Sequence, residues 1–173
     1  MAVSVRKATP EDAATIGEVH AESWWVGFAD RFAPEELALA TNRRRGMWEG
    51  AFAHAGFPIT TLLVAEDKGS IIGFLHFGPA TDGSGDREVY ALYLHPRAWG
   101  GGAARLLMDV TLSQLGAEGF DRAILWTYGE GRAASFYNKF GWHLTGRQRD
   151  EDLGDGLHGR VVEYEHVLIH TEG

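Results

Sequence analysis

The segment His95–Asp109, HPRAWGGGAARLLMD, decides the reading of this chain. It sets three consecutive glycines between an alternating apolar run, REVYALYL at residues 87–94, and a leucine-rich one. Consecutive glycines cost backbone entropy and contribute no side-chain packing, so they belong where main-chain geometry requires them. The alternation before them reads as a strand; the stretch from about Gly102 to Glu118, stopped by Gly119, reads as a helix. The glycines therefore occupy a strand-to-helix turn. Such a turn presents the first N–H groups of a helix and the positive end of its dipole, and a missing Cβ lets a phosphate approach. A tight bend that needs positive φ would use the same residues, so the glycines alone leave both readings open.

Working outward, VSVRKA alternates like a first strand. Thr9-Pro10-Glu11-Asp12 then predicts a helix start, with Thr9 as N-cap, Pro10 at the first helical position and Asp12 closing the box. Ala13, Ile16, His20 and Trp24 recur at helical spacing, and Pro34-Glu35-Glu36 opens a second helical stretch running to about His54, ahead of Gly56. ITTLLVAED and IIGFLHFG, joined by Asp67-Lys68-Gly69-Ser70, form a hairpin pattern, and PATDGSGD is a loop. After the glycine-led helix come a strand RAILWT, a short helix RAASFYNKF stopped by Gly141, a short strand near Trp142 to Arg147, and a long strand in HGRVVEYEHVLIH. The order β-α-α-β-β-β-α-β-α-β-β predicts one domain over residues 1–173. It is an α/β (α+β mixed) fold with a single mixed, mostly antiparallel sheet of six to seven strands and helices on both faces.

The 173 residues allow one sizeable core, and 45% hydrophobic with 23% charged residues is ordinary for a folded globular chain. No apolar run approaches the length of a membrane helix and the start lacks a signal-peptide core, so a cytoplasmic protein without a membrane partner is expected. The absence of cysteine excludes disulfides, thiolate metal sites and a cysteine nucleophile. Twenty-four acidic against 16 basic residues give a net charge of -8, which disfavours nucleic acid and suits a cationic small molecule. Arg43-Arg44-Arg45 reads as the solvated face of a helix. The eight histidines show neither H-x-H nor H-E-x-x-H spacing, so no metal is expected.

Three phosphate-binding motifs compete at the glycines. A Walker A loop requires Gly-Lys-Ser/Thr, where this chain has Gly102-Ala103-Ala104. A dinucleotide fingerprint would place Arg105 at its third glycine and lacks a preceding βαβ unit. The third motif fits: the segment resembles the acyl-CoA turn of the GNAT N-acetyltransferase superfamily, Gln/Arg-x-x-Gly-x-Gly/Ala. Arg97-x-x-Gly100-x-Gly102 matches literally. Trp99-x-x-Gly102-x-Ala104 is preferred, because it keeps the family's distance from Pro96 to Leu107-Met108. A second block, GRAASFYNKFGW, resembles the family's Asn-x-x-Ala-x-x-Phe-Tyr-x-x-x-Gly-Phe, with Ala133, Phe136, Tyr137, Gly141 and Trp142 in register and Glu130 in the Asn position.

The resemblance implies acetyl-CoA as co-substrate, without a metal. Its pyrophosphate would lie on the backbone of Trp99, Gly100, Gly101, Gly102, Ala103 and Ala104, and its pantetheine along Leu92, Tyr93 and Leu94, with Glu130 and Ala133 nearby. Tyr137 would protonate the departing thiolate, and Glu88 would take the ammonium proton through water. Glu130 and His76 are fallback bases. An aromatic packed beside Phe136 is the plain alternative for Tyr137, and a solvated strand end for Glu88.

HAESWWVGFADRF and RRRGMWEGAF resemble a bacterial subgroup of the superfamily with a Ser-Trp pair on the first helix, the region that selects the acceptor. Trp24, Phe28 and Trp48 are the expected acceptor-binding residues. Aromatic walls near Glu22 and Asp30 suit an organic ammonium. A small-molecule amine is thus the expected partner, with a homodimer allowed. A peptide α-amine or lysine acceptor, and a non-catalytic acyl-CoA-binding module, are the alternatives; retention of Tyr137 argues against the last.

Overall fold

The computed structural model describes residues 2–54 and 59–170, and its elements follow the expected order. Strand β1 is Ser4–Lys7, helix α1 Ala13–Gly27, helix α2 Pro34–Ala53, and strands β2, β3 and β4 are Thr61–Asp67, Ser70–Pro79 and Arg87–Leu94. Helix α3 (Ala103–Ala117), β5 (Arg122–Thr127), α4 (Arg132–Lys139), β6 (His143–Gly154) and β7 (Leu157–Val167) complete it. The seven strands form one sheet in the order β1-β2-β3-β4-β5-β7-β6. Pairing is parallel between β4 and β5 and antiparallel in β1–β2, β5–β7 and β6–β7, so the sheet is mixed as expected. The predicted stop of the second helix at Gly56 lies outside the described residues. The chain forms two compact units, residues 1–76 with 91–108 and residues 77–90 with 109–173.

In the first unit the apolar stripe of α1 (Ala13, Ile16, Val19) packs with Trp48 of α2 and with Leu62, Val64, Ile71 and Phe74 of β2 and β3. The two helices approach at a spacing that only glycine permits, since a Cβ on Gly17 would lie 2.0 Å from the Arg45 carbonyl oxygen. The start of α1 follows the expectation, with Thr9 at the N-cap, Pro10 at the first helical position and Asp12 closing the capping box, and its first turn is 3₁₀. Thr9 N–H donates to the Asp12 carboxylate at 2.8 Å and Asp12 N–H to the Thr9 carbonyl at 3.0 Å, closing a 3₁₀ turn over Pro10–Asp12. The α-helix itself begins at Ala13. Arg6 of β1 bonds the Asp12 carboxylate at 2.7 Å and reaches Glu66 of β2 at 2.8 Å, tying the turn to two strands.

In the second unit Ala123, Ile124 and Leu125 of β5 are buried, as are Val161 and Tyr164 of β7. Arg122 bridges Asp86 and Glu165. Strand β6 corrects the expectation of a short strand near Trp142 to Arg147, because it runs for 12 residues and returns through Asp155-Gly156 into β7. Its second half, QRDEDLG, carries no apolar alternation because β6 is the last strand of the sheet and pairs only with β7. Charged side chains suit such an edge, where they oppose pairing with another chain.

Candidate active site

The glycine turn lies in the first unit. β4 ends at Leu94, and His95 Nδ1 accepts the Arg97 N–H at 3.2 Å to start a 3₁₀ turn over Pro96–Ala98. Trp99 leaves that turn extended, and its indole N–H donates to the Leu94 carbonyl at 3.0 Å. The Trp99 side chain thus fastens the turn to the strand it leaves, while its backbone leads into the glycines. Gly100 and Gly102 have φ of 78° and 87°, in the left-handed region. Beyond the chain neighbours, no atom of the described residues lies within 4 Å of where a Cβ on either would sit, so the space over both is open. Leu106 N–H donates to the Gly102 carbonyl at 3.0 Å as the first turn of α3 closes. Helical geometry leaves the N–H groups of Ala103 and Ala104 ahead of it without an intrahelical acceptor. An open cradle, unspent amides and a helix dipole fit a pyrophosphate.

β4 supplies the second feature. Its parallel ladder with β5 covers only Arg87–Val89 against Ala123–Leu125, while β5 continues against β7 as far as Thr127. Leu92, Tyr93 and Leu94 lie past the end of that ladder, in the stretch expected to meet pantetheine. His95 N–H donates to the Ile72 carbonyl at 2.8 Å, and Gly73 packs against Tyr93 and Leu94, which holds this stretch on β3.

The acceptor-region aromatics are deeper than expected. Trp24 and Trp48 are 1% and 3% exposed, whereas Phe28 is half-buried. Phe28 stacks on Trp24 with centroids 4.1 Å apart, and the Arg44 guanidinium carbon lies 3.3 Å from the Trp24 ring centre. The cation over Trp24 is therefore the chain's own arginine. This corrects the reading of Arg43-Arg44-Arg45 as a solvated face: Arg44 is buried, and its guanidinium donates to the Ala40 carbonyl at 3.0 Å. The signal was the spacing of Leu37, Ala40, Arg44 and Trp48, which share the buried face of α2.

Trp24 Nε1 donates to the Tyr93 hydroxyl at 3.2 Å, linking α1 to β4, and burial raises the Tyr93 pKa. Trp48 Nε1 donates to His20 Nδ1 at 3.1 Å, so His20 accepts through that nitrogen. Burial first, then the charges of Arg44 and Arg43, push His20 down to about 3. Burial also pushes His76 down to about 4, and its Nε2 meets Thr60 Oγ1 at 2.9 Å. Both histidines stay neutral in the folded chain while unfolded histidine takes up a proton near pH 6.5. Their contribution to stability is therefore full above pH 6.5 and declines as pH falls toward these depressed values. Thermal melts should show the midpoint dropping from pH 6.5 to 4, at up to about 1.4 kcal/mol per pH unit for each histidine. His20→Asn should flatten the dependence, and equal slopes in variant and wild type would contradict the assignment.

In the second unit Glu88 is 4% exposed and its Oε2 accepts both the N–H and the hydroxyl of Thr81, each at 2.9 Å. A solvated strand end is thus replaced by a buried carboxylate that fastens the loop before β4. Thr81 as its partner was not legible, because the contact spans a loop of irregular conformation. Tyr137 on α4 is 7% exposed, with its ring 5.4 Å from Phe136, 5.8 Å from Trp142 and 5.8 Å from Tyr164. Glu130 and Ala133 are exposed where the chain enters α4. Sequence reasoning also missed Glu163 of β7, fully buried, whose carboxylate accepts from Thr145 at 2.9 Å and pairs with Arg147 at 3.0 Å.

A mixed sheet whose parallel pair parts early, followed by a glycine turn into a helix, defines an acyl-CoA transferase type of fold. The model of the Acetyltransferase (GNAT) family matches residues 21–142, and the chain belongs to that family. It is an N-acetyltransferase that uses acetyl-CoA. An uncharacterized N-acetyltransferase, YuaI, of Bacillus subtilis (strain 168) is 28% identical over 141 residues, 80% of this chain and 79% of that one. Mycothiol acetyltransferase of Streptomyces avermitilis is 33% identical over 127 residues, 69% of this chain but only 38% of the longer relative. The crystal structure of PaiA N-acetyltransferase from Thermoplasma acidophilum in complex with coenzyme A shares the fold. Its TM-score is 0.77 at 20% identity, covering 96% of this chain and 99% of that one.

Proposed function

We propose that this chain transfers the acetyl group of acetyl-CoA directly to the primary amine of a small molecule, within a ternary complex. The observation that carries the donor half is the turn: Gly100 and Gly102 at positive φ under open space, ahead of the first amides of α3. Trp99 to Ala104 take the pyrophosphate through backbone N–H groups. Leu92 to Leu94 offer main-chain groups to pantetheine and to the thioester carbonyl, and Glu130 and Ala133 are assigned to the same cofactor by their place in the second family block. Phe28 contacts the acceptor, while Trp24 and Trp48 shape that region from beneath.

In the reaction the neutral amine attacks the thioester carbon, the new N–C bond forms and the C–S bond breaks. Glu88 takes, through water, the proton that the nitrogen sheds once the N–C bond has formed, and Tyr137 gives its phenolic proton to the leaving thiolate and is reprotonated from solvent. With no cysteine in the chain and no Ser-His-Asp arrangement read from it, no acetyl-enzyme is formed. The small-molecule acceptor is supported by the product for which the Streptomyces relative is named. We read residues 1–173 as one cytoplasmic domain, since the family match runs through both compact units. The same reading allows a homodimer and expects neither nucleic acid nor membrane as partner.

Thiol release from acetyl-CoA, measured against a panel of small primary amines and peptides with free α-amines, tests the acceptor class. Release with small amines alone is the expected result; release with peptides alone would replace the proposal. Glu88→Gln keeps the shape and an acceptor for Thr81 while removing the base. Its rate should fall most at low pH, where neutral amine is scarcest, and pH–rate profiles that superimpose on wild type would leave Glu88 only its grip on the loop.

A further inference from the structure

Beyond Val89 the β5 side of β4 carries no ladder, so Leu92, Tyr93 and Leu94 are held along one edge only, by β3. A strand paired on one side can twist about that pair, and its free main-chain groups turn with it. The acetyl-transfer reading gives those groups to pantetheine, and a hydrogen bond weakens steeply once its angle is lost. The stretch therefore needs a hold on its face as well as on its edge.

The Tyr93 side chain supplies one. Successive side chains of a strand point to opposite faces, and Tyr93 packs against the cluster that α1 and α2 build over β2 and β3. Its ring lies 4.5 Å from His20 and 5.7 Å from Phe74. Ring contacts tolerate sliding. The bond from Trp24 Nε1 to the Tyr93 hydroxyl, at 3.2 Å, is directional, and among the described residues it is the only hydrogen bond of that hydroxyl. The indole is itself fixed: Trp24 is fully buried, Phe28 stacks on it at 4.1 Å, and the Arg44 guanidinium carbon lies 3.3 Å from its centre.

We propose that Trp24 and Tyr93 are positioning residues for the acyl donor, their hydrogen bond setting the twist of the strand that meets pantetheine. A tryptophan expected to serve the acceptor thereby acts on the donor side, through the backbone of β4 and without touching the donor. The inference rests on the reading that Leu92 to Leu94 meet pantetheine.

Dephospho-coenzyme A and ADP differ only in the pantetheine arm, so calorimetry with each on the full chain isolates what that arm contributes. Tyr93→Phe keeps the ring and removes the hydroxyl, and Trp24→Phe removes the donor of the same bond. Each should weaken dephospho-coenzyme A about three- to tenfold, the scale of one hydrogen bond, and leave ADP unchanged. The double variant should lose no more of the affinity ratio than the larger single, since both substitutions remove one bond. A merely structural role would weaken the two ligands alike, because the glycine turn that takes the pyrophosphate belongs to the same compact unit. Equal weakening of both ligands, an unchanged ratio in folded Tyr93→Phe, or additive losses in the double variant would each overturn the assignment. Wild-type protein that binds the two ligands equally would instead overturn the pantetheine reading, and the inference with it.

Discussion

Gly102→Val is expected to weaken acetyl-CoA binding by about 10²-fold, the scale of losing roughly two charge-assisted hydrogen bonds to phosphate. Two effects combine. Gly102 stands at φ 87°, which a β-branched residue adopts only under strain, so the first amides of α3 are re-aimed. The valine side chain also enters the open space that the proposal gives to the pyrophosphate, since beyond the chain neighbours no described residue lies within 4 Å of the added Cβ. For that same reason the substitution makes no clash inside the fold, and a correctly folded variant is attainable. Calorimetry with acetyl-CoA reads the result, and unchanged affinity in a folded variant would return the glycines to the role of a tight bend.

Tyr137→Phe is expected to lower turnover by about 10²-fold with acetyl-CoA affinity nearly intact, the loss typical of a general acid. The ring contacts to Phe136, Trp142 and Tyr164 survive in phenylalanine, so the substitution removes a hydroxyl and little packing. Single-turnover and steady-state rates separate the two parameters. Wild-type turnover in the variant would make Tyr137 a core aromatic and hand the proton to water.

The element order and the turn were legible because each rests on local rules: alternation in REVYALYL, helical spacing in α1, glycines where φ turns positive. β6 was legible only in part, since an edge strand replaces apolar alternation with charge. Arg44 was misread because three adjacent arginines look solvated, whereas their 100° steps around α2 send the middle one under Trp24. The Glu88–Thr81 contact and the burial of Glu163 depend on loop path and strand pairing, which no local pattern encodes. Trp24 and Trp48 were expected at the acceptor; their burial was not legible, because it depends on how closely α1 meets α2 at Gly17.

Initial rates with acetyl-CoA and a reactive small amine varied together test the central claim most directly. Direct transfer in a ternary complex predicts double-reciprocal lines that intersect, with no acetyl group retained on the protein after incubation with acetyl-CoA alone. Parallel lines, with an acetylated protein detected by mass, would contradict it.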